Sequence, residues 1–598
     1  SDSLKEVKKM DIYGSFKFLK RKIVIRLRDR VCSTPEELLS SDLFFEVMTR
    51  FINDLKRREA PLLHIFNKPV GEIDEGDVKQ LIEAFHILSK MKADAVPKLM
   101  ADGSRFVRNP SLLNMFVERL YNFWRDFDRF ILCDSTGDRL DQRPYRTFNA
   151  TIESLMHLVR QVYREIQENI TGNHPSVYRQ IRAGAEVAVI ALPKDLALPA
   201  GSYRKLRDVP VIRQILLYPP LLLNPPMNKR TGKFERINQN PLNLIEVDPD
   251  EWLCYPAQVG SLLILIYVHE KFYELGFSLC NLFELADDES LNKPADAVYL
   301  FGASGSELDV LAPMPTVFYD DEDAGMITAA CPNDDQYGYF GYLKKMALTL
   351  HNVKVMKQGK MPFHGALVRI VLKGDQALTL LIIGDTGAGK SETLEAFRII
   401  GEDQIEDITI IADDMGSLEI SSEGRIIGYG TEIGAFVRLD DLQPGYAFGQ
   451  LDRAIIMNPN QVNARVVLPV TTYENVVRGI PVDMVLYANN YEEIDEDHPI
   501  IEALPSAETA LRVFREGTAM SKGTTTSTGL VHTYFVNVFG AVQYKALHDE
   551  IADRFFHAFF AEKIFVGQLR TKLGIAGCER KGPEDAAQAL LEMIRPGK

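Results

Sequence analysis

The sequence predicts a mixed α/β fold whose N-terminal domain is helical. Three observations carry that prediction. Apolar residues recur at helical spacing from Asp42 to Leu55 and again from Asn114 to Trp124. An apolar run, Leu378 to Ile383, enters a glycine-rich turn and leaves as an amphipathic segment reaching Phe397. A β-branched stretch, Ile408 to Ala412, ends in two adjacent aspartates, Asp413 and Asp414.

The elements follow in order. Residues 1–180 read as mostly helical, with the basic run Lys17 to Arg30 taken as a solvated helical surface. Ala185 to Leu192 reads as a buried strand, and the proline-rich run Tyr218 to Pro226 as an extended connector. Short strands and helices alternate to about residue 345, where a second boundary falls. From 346 to 598 the alternation is clear, with Val482 to Ala488 as a buried strand. Helical segments at Tyr544–Lys572 and Pro583–Ile594 close the chain.

Composition narrows the classes. The 598 residues are 46% hydrophobic and 25% charged, which excludes collagen-like, disordered and coiled-coil chains. Six scattered cysteines form no C-x-x-C pair, which argues against a disulfide scaffold or a cysteine zinc site and predicts a reducing, cytoplasmic setting. The longest apolar stretches, such as Ser261 to Val268, are too short to span a bilayer. A net charge of −15 argues against nucleic acid or a membrane surface as partner. Any anionic ligand must therefore meet a local concentration of cations.

The glycine-rich turn supplies one. Gly384-Asp385-Thr386-Gly387-Ala388-Gly389-Lys390-Ser391-Glu392 satisfies G-x-x-x-x-G-K-[ST] between a strand and a helix, the context of a phosphate-binding loop. The glycines let successive N–H groups curl toward one anion. Lys390 brings a point charge to the outer phosphates of ATP or another nucleoside triphosphate. The Ser391 hydroxyl suits Mg²⁺, and the helix start adds its positive dipole end. Asp413 and Asp414, at the end of a strand, are placed to orient Mg²⁺ or accept a proton.

Further motifs resemble the superfamily that joins phosphoenolpyruvate carboxykinases with HPr kinase/phosphorylases, over roughly residues 337–545. Tyr339-Phe-Gly-Tyr-Leu-Lys344-Lys345 is similar to the carboxykinase Y-x-G-E-M-K-K, with Tyr342 where that family carries Glu. Met361-Pro-Phe-His364 is similar to L-P-M-H. The resemblance implies that Lys345, His364 and Asp414 hold a divalent metal, Mn²⁺ in that family. It also implies that the lysine is neutral, which requires a depressed pKa that the neighbouring cation Lys344 helps produce.

Asn463-Ala-Arg465 resembles the strand whose arginine contacts the transferred phosphoryl group. Gly517 to Gly523, including Lys522, and Phe535 to Ala541 resemble two later segments. Asn228-Lys-Arg230-Thr-Gly-Lys-Phe234 resembles the substrate-carboxylate segment, so Arg230, Lys344 and Lys522 are candidate substrate contacts. Residues 181–345 then form a carboxykinase-like α/β substrate-side domain and 346–598 the P-loop nucleotide-binding kinase domain.

Other features resemble HPr kinase instead: Ser391-Glu392 after the lysine, the strand His364-Gly-Ala-Leu-Val-Arg-Ile370, and Ile411-Ala-Asp-Asp414. The R-G-H-R run that precedes the HPr-kinase aspartates is replaced here by Glu406-Asp-Ile-Thr-Ile. Three functions stay open. One is carboxykinase-like phosphoryl transfer from ATP to a small carboxylate or enolate, with Lys390, Ser391, Asp413 and Arg465 positioning the transferring group. Another is a kinase for a seryl acceptor, protein or free serine, with His364 and Asp414 activating the hydroxyl. The third is a non-catalytic nucleotide sensor whose helical N-terminal domain binds a protein partner.

Overall fold

The computed structural model describes residues 8–10, 14–27, 31–133, 144–304, 308–311, 316–374, 376–442, 449–522 and 528–594. The chain forms two compact units. One comprises Ser1–Pro193 with Pro210–Leu221, the other Lys194–Val209 with Leu222–Lys598.

The first unit joins helices to a sheet. Its long helices are Asp42–Arg57, Glu75–Leu88, Pro110–Arg125 and Pro144–Thr171, the first and third containing the two stretches of helical apolar spacing. The Ser41 hydroxyl caps the first through Phe44 N–H, a reciprocal Asp74/Asp77 box caps the second, and Asn109 caps the third through Leu112 N–H. Their apolar faces meet around Met48, Phe51, Leu81, Phe85, Leu113 and Phe116.

Residues 17–27 of the basic run Lys17 to Arg30 depart from the helical reading, and Arg28, Asp29 and Arg30 lie outside the described residues. Gly14–Leu19 and Lys22–Leu27 form a hairpin, turned at Lys20 with φ 51°. Phe16 and Phe18 flank Lys17, and Ile23-Val24-Ile25 is a β-branched run between Lys22 and Arg26, a strand pattern that a count of charges conceals. Lys22–Leu27 pairs in parallel with Asp128–Cys133, which pairs in parallel with Val187–Leu192, the buried strand expected from the sequence. Parallel pairing needs long crossovers, and the helices lie in those connections.

The second unit carries two large sheets. In the first, Trp252–Val259 and Leu262–His269 form a hairpin at Gly260 (φ 55°), and Leu262–His269 continues in parallel through Ala297–Ala303 to Met326–Pro332. Helix Phe340–Lys357 is buried on almost every face.

In the second sheet, strand Met361–Leu372 lies antiparallel between Gln376–Ile383 and Ile405–Ala412. Gln376–Ile383 runs parallel to Met484–Asn489, which runs parallel to Phe565–Arg570. The C-terminal ends of these four strands therefore share one edge of the sheet, the edge at which Met361–Leu372 begins. Helices Lys390–Ile400 and Lys581–Ile594 cover one face, with Phe397, Leu590 and Leu591 against Val368, Ile382 and Leu486.

The segment Tyr544–Lys572, read as helical throughout, is helix only over Lys545–Ala561. It then becomes the buried strand Phe565–Arg570, whose ladder with Met484–Asn489 overrides local propensity. Among the described residues, no helix is long and apolar enough to cross a membrane.

Candidate active site

Main-chain hydrogen bonds bring the three motifs together before any side chain is considered. The His364 carbonyl accepts from Gly384 N–H at 3.0 Å, and Gly365 N–H donates to the Asp414 carbonyl at 2.8 Å. One dipeptide thus pins the start of the glycine-rich loop on one side and the aspartate pair on the other. Position 365 must be small, since a Cβ there would lie 2.4 Å from the Ile382 carbonyl oxygen. The ladder beside this strand is interrupted: residues 405–412 pair with 367–372, and 415–418 pair with 361–364. Asp413 and Asp414 lie in that gap, opposite Gly365 and Ala366. The register shift beside it falls at Ile411, between the pairs Leu367–Ala412 and Val368–Ile410, and such bulges re-aim side chains at a sheet edge.

The loop itself is braced from several sides. Gly387 and Gly389 adopt φ 80° and 94°, and a Cβ on Gly389 would strike Thr571 at 2.6 Å. Thr571 Oγ1 donates to the Ala388 carbonyl at 2.7 Å, and Asn490 Nδ2 to the Gly387 carbonyl at 3.0 Å. Lys390 Nζ donates to the carbonyls of Gly384 (2.6 Å) and Asp385 (3.1 Å). Asp385 accepts from Thr386 N–H at 2.7 Å, and its carboxylate lies 3.7 Å from His364 Nδ1. Helix Lys390–Ile400 starts at the end of the loop, with Ser391 exposed and Glu392 in its first turn. Its leading N–H groups and dipole make that end suited to an anion.

His364 is 2% exposed. Its Nδ1 lies 2.7 Å from the Val536 carbonyl, which only accepts, so Nδ1 carries the proton. The other ring nitrogen, Nε2, faces Asp414 Oδ1 at 3.0 Å. The Val536 carbonyl comes from a turn in which Phe535, Val536 and Asn537 all have left-handed φ, at 46°, 50° and 63°. Such backbone is strained for side-chain-bearing residues and persists where surrounding contacts enforce it. Phe539, just beyond, places its ring 5.8 Å from that of His364 and 5.1 Å from Lys345 Nζ.

Lysines 344 and 345 differ sharply. Lys344 Nζ sits between Asp414 Oδ2 (2.9 Å) and Glu432 Oε1 (3.0 Å). Burial disfavours its charge, but the two carboxylates outweigh burial and hold it protonated. Lys345 is pushed down to about 8 by burial, with Arg230 and Lys344 adding and Asp385 and Asp414 opposing. The structure therefore puts Lys344, expected on substrate, directly on Asp414. Lys345, expected on the metal, is the lysine whose amine approaches neutrality.

The carboxylates divide likewise. Burial opposes ionisation of Asp414, yet Lys344, His364 and Lys390 hold its carboxyl well below the usual range. Asp413 is pushed up to about 6 by burial and the charge of Asp414, against Lys344 and Lys390. Glu432, 1% exposed, is pushed up to about 7 by burial, with Lys344 opposing and Asp414 and Asp413 adding.

The remaining expected residues lie around this centre. Arg230 is half-buried, donates to the Gly232 carbonyl at 2.7 Å and stands 5.2 Å over the Phe234 ring. Its segment is held by Tyr342, whose phenol oxygen accepts from Thr231 N–H (3.2 Å) and Gly232 N–H (2.8 Å). Arg465 opens strand Arg465–Pro469 and stands 5.6 Å over Phe436, and both it and Arg230 act electrostatically on Tyr339. Lys522 ends strand Thr518–Lys522, and its side chain lies outside the described ones.

Sequence reasoning missed Glu432, Thr571, Asn490 and Val536. Glu432, Thr571 and Asn490 come from segments with no motif of their own, brought in by the sheet. Val536 lies in the segment Phe535 to Ala541 that the resemblance covers and acts there through its carbonyl, which a side-chain motif does not reveal. It also missed Glu251, His269 and Glu270, the one cluster of three metal-capable His, Cys, Asp or Glu side chains among the described residues. There His269 Nδ1 accepts from Lys271 N–H (3.2 Å) and Nε2 faces Glu251 Oε2 (3.3 Å), so both ring nitrogens are engaged.

His364 Nε2 and Asp414 Oδ1 lie at hydrogen-bond distance, 3.0 Å, and are an imidazole nitrogen and a carboxylate oxygen, donor types that divalent cations take, while Asp414 Oδ2 is engaged by Lys344. The site thus offers a braced loop for an anion, a nitrogen–oxygen donor pair, and cations beside it. No protein-family model matches this chain, and no curated protein matches it.

Proposed function

We propose that this chain transfers the γ-phosphoryl group of ATP to a small carboxylate-bearing enolate acceptor, with a divalent metal, in the manner of a phosphoenolpyruvate carboxykinase. One observation carries the reading: the loop and the aspartate pair are joined through His364-Gly365, beside a lysine pushed toward neutrality. In this reading Lys390 and the loop N–H groups hold the triphosphate, with Ser391 and Asp413 on the metal that accompanies it. A second cation would be held by His364, Asp414 and Lys345, supplying positive charge at the acceptor oxygen. Lys344 keeps Asp414 ionised and fixed, and the Val536 carbonyl keeps the imidazole in the tautomer whose Nε2 is a donor to metal. Arg465 balances charge on the transferring group, and Arg230, steadied by Tyr342, receives the acceptor carboxylate.

A seryl acceptor is the second reading, favoured by Asp413, whose carboxyl near 6 is poised to take a hydroxyl proton. The deciding experiment incubates the protein with ATP, Mn²⁺ and either oxaloacetate or serine. The carboxykinase reading expects carbon dioxide, ADP and phosphoenolpyruvate in equal amounts from oxaloacetate. Phosphoserine with no phosphoenolpyruvate would replace it by the second reading.

A further inference from the structure

We infer that the first compact unit binds a small, uncharged, predominantly apolar molecule in a cavity between its helices and its sheet. The cavity has a volume of about 140 Å³. Protein interiors are close-packed, and voids larger than a water molecule are few. A cavity of about 150 Å³ lined by aliphatic and aromatic side chains stays dry and admits benzene.

The lining sets the chemistry. Ile25 and Leu27 face it from the sheet, Val47 from helix Asp42–Arg57, Val117 and Leu120 from helix Pro110–Arg125, and Val162 from helix Pro144–Thr171. Among the described residues, no Asp, Glu, Lys, Arg or His contributes to its wall. Three polar side chains at the wall have partners elsewhere: Ser41 Oγ donates to the Leu38 carbonyl (2.7 Å), Tyr163 Oη to Glu118 Oε2 (3.3 Å), and Trp124 Nε1 to the Ala183 carbonyl. A charged guest would lose its hydration with nothing to replace it, so charge is excluded. One side of the wall is aromatic, with Tyr121 and Tyr163 stacked at 3.9 Å beside Trp124. The guest is therefore a single ring or a short alkyl chain, matched by dispersion contact rather than hydrogen bonds. This site is independent of the proposed phosphoryl transfer.

The test titrates the full chain with 4-fluorotoluene, followed by ¹⁹F resonance and by tryptophan emission, to which Trp124 in the wall and Trp252 both contribute. The expected result is saturable binding of one molecule per chain. 4-Fluorobenzylammonium, of similar shape but charged, is expected to bind at least about ten-fold more weakly. Two cavity-filling variants, Val162→Phe and Leu120→Phe, are expected to abolish the 4-fluorotoluene signal, and one folded variant is enough to show it. Absence of saturable binding to the natural chain, equal binding of the charged probe, or undiminished binding by a folded filled variant would each overturn the inference.

Discussion

Arg129 and Glu186, in the first unit, bury one cation against one anion. The Arg129 backbone N–H and Nε donate to Glu186 Oε2 at 2.8 and 3.1 Å, Nη2 donates to Oε1, and Nη1 donates to the Ala183 carbonyl at 3.2 Å. In the second unit Lys344 is shared by Asp414 and Glu432, with Asp413 adding a third carboxyl nearby. The first cluster is complete in itself and holds structure. The second has more carboxyl groups than its central lysine balances, and burial raises two of their pKa values. Perturbed, incompletely balanced groups at a sheet edge are where a ligand cation has most to offer.

The comparison breaks first at Arg129. Arg129→Met strands a buried carboxylate and is expected to lower stability by about 3–5 kcal/mol in denaturant titration, whereas Arg129→Met with Glu186→Leu is expected to recover most of that loss. If the single variant is as stable as the natural chain, the closed pair is not closed. On the other side, Lys390→Ala is expected to reduce kcat for phosphoryl transfer by roughly 10²–10³, with a fall in unfolding midpoint smaller than that of Arg129→Met, since two loop carbonyls lose a donor but no buried carboxylate is stranded. Tyr342→Phe removes the acceptor of two backbone N–H groups, and a rise of about ten-fold in KM for the acceptor, larger than the change in kcat, is expected in steady-state kinetics.

The smallest effect sharpens the contrast through pH. Glu432 has a folded value of about 7 against an ordinary 4.5, so it binds its proton more tightly in the folded chain. Its share of stability is complete below the unfolded value and is lost as pH rises through about 7. The denaturant midpoint of the natural chain should therefore fall relative to Glu432→Gln between pH 5 and 8. A parallel pair of profiles would remove Glu432 from the titrating cluster.

Local chemistry made the loop legible, because Gly384 to Ser391 needs only its own strand–turn–helix context. The aspartate pair was legible for the same reason. Which lysine meets Asp414 was not: Lys344 and Lys345 are adjacent on one helix and point about 100° apart, and only the helix's rotation in its burial site decides between them. Glu432 lay beyond reach because an isolated glutamate after a strand looks solvated until the fold buries it. In the first unit, helices announced themselves by long periodicity, while the hairpin at 14–27 was too short and too cationic to compete. Tyr544–Lys572 shows the converse, where an expected helix gives way to a strand that completes a parallel ladder.

The antiparallel placement of Met361–Leu372 between Gln376–Ile383 and Ile405–Ala412 turns the sheet into a ruler. Adjacent strands lie about 4.8 Å apart, so the loop and the aspartates stand two graduations, roughly 10 Å, from each other, with His364 at the middle mark. Lengthening surface loops leaves that gauge unchanged. A one-residue slip of the central strand would preserve the span yet turn the imidazole to the opposite face. The dimension is held by the repeat of the backbone, and only the chemistry at each mark is left to the side chains.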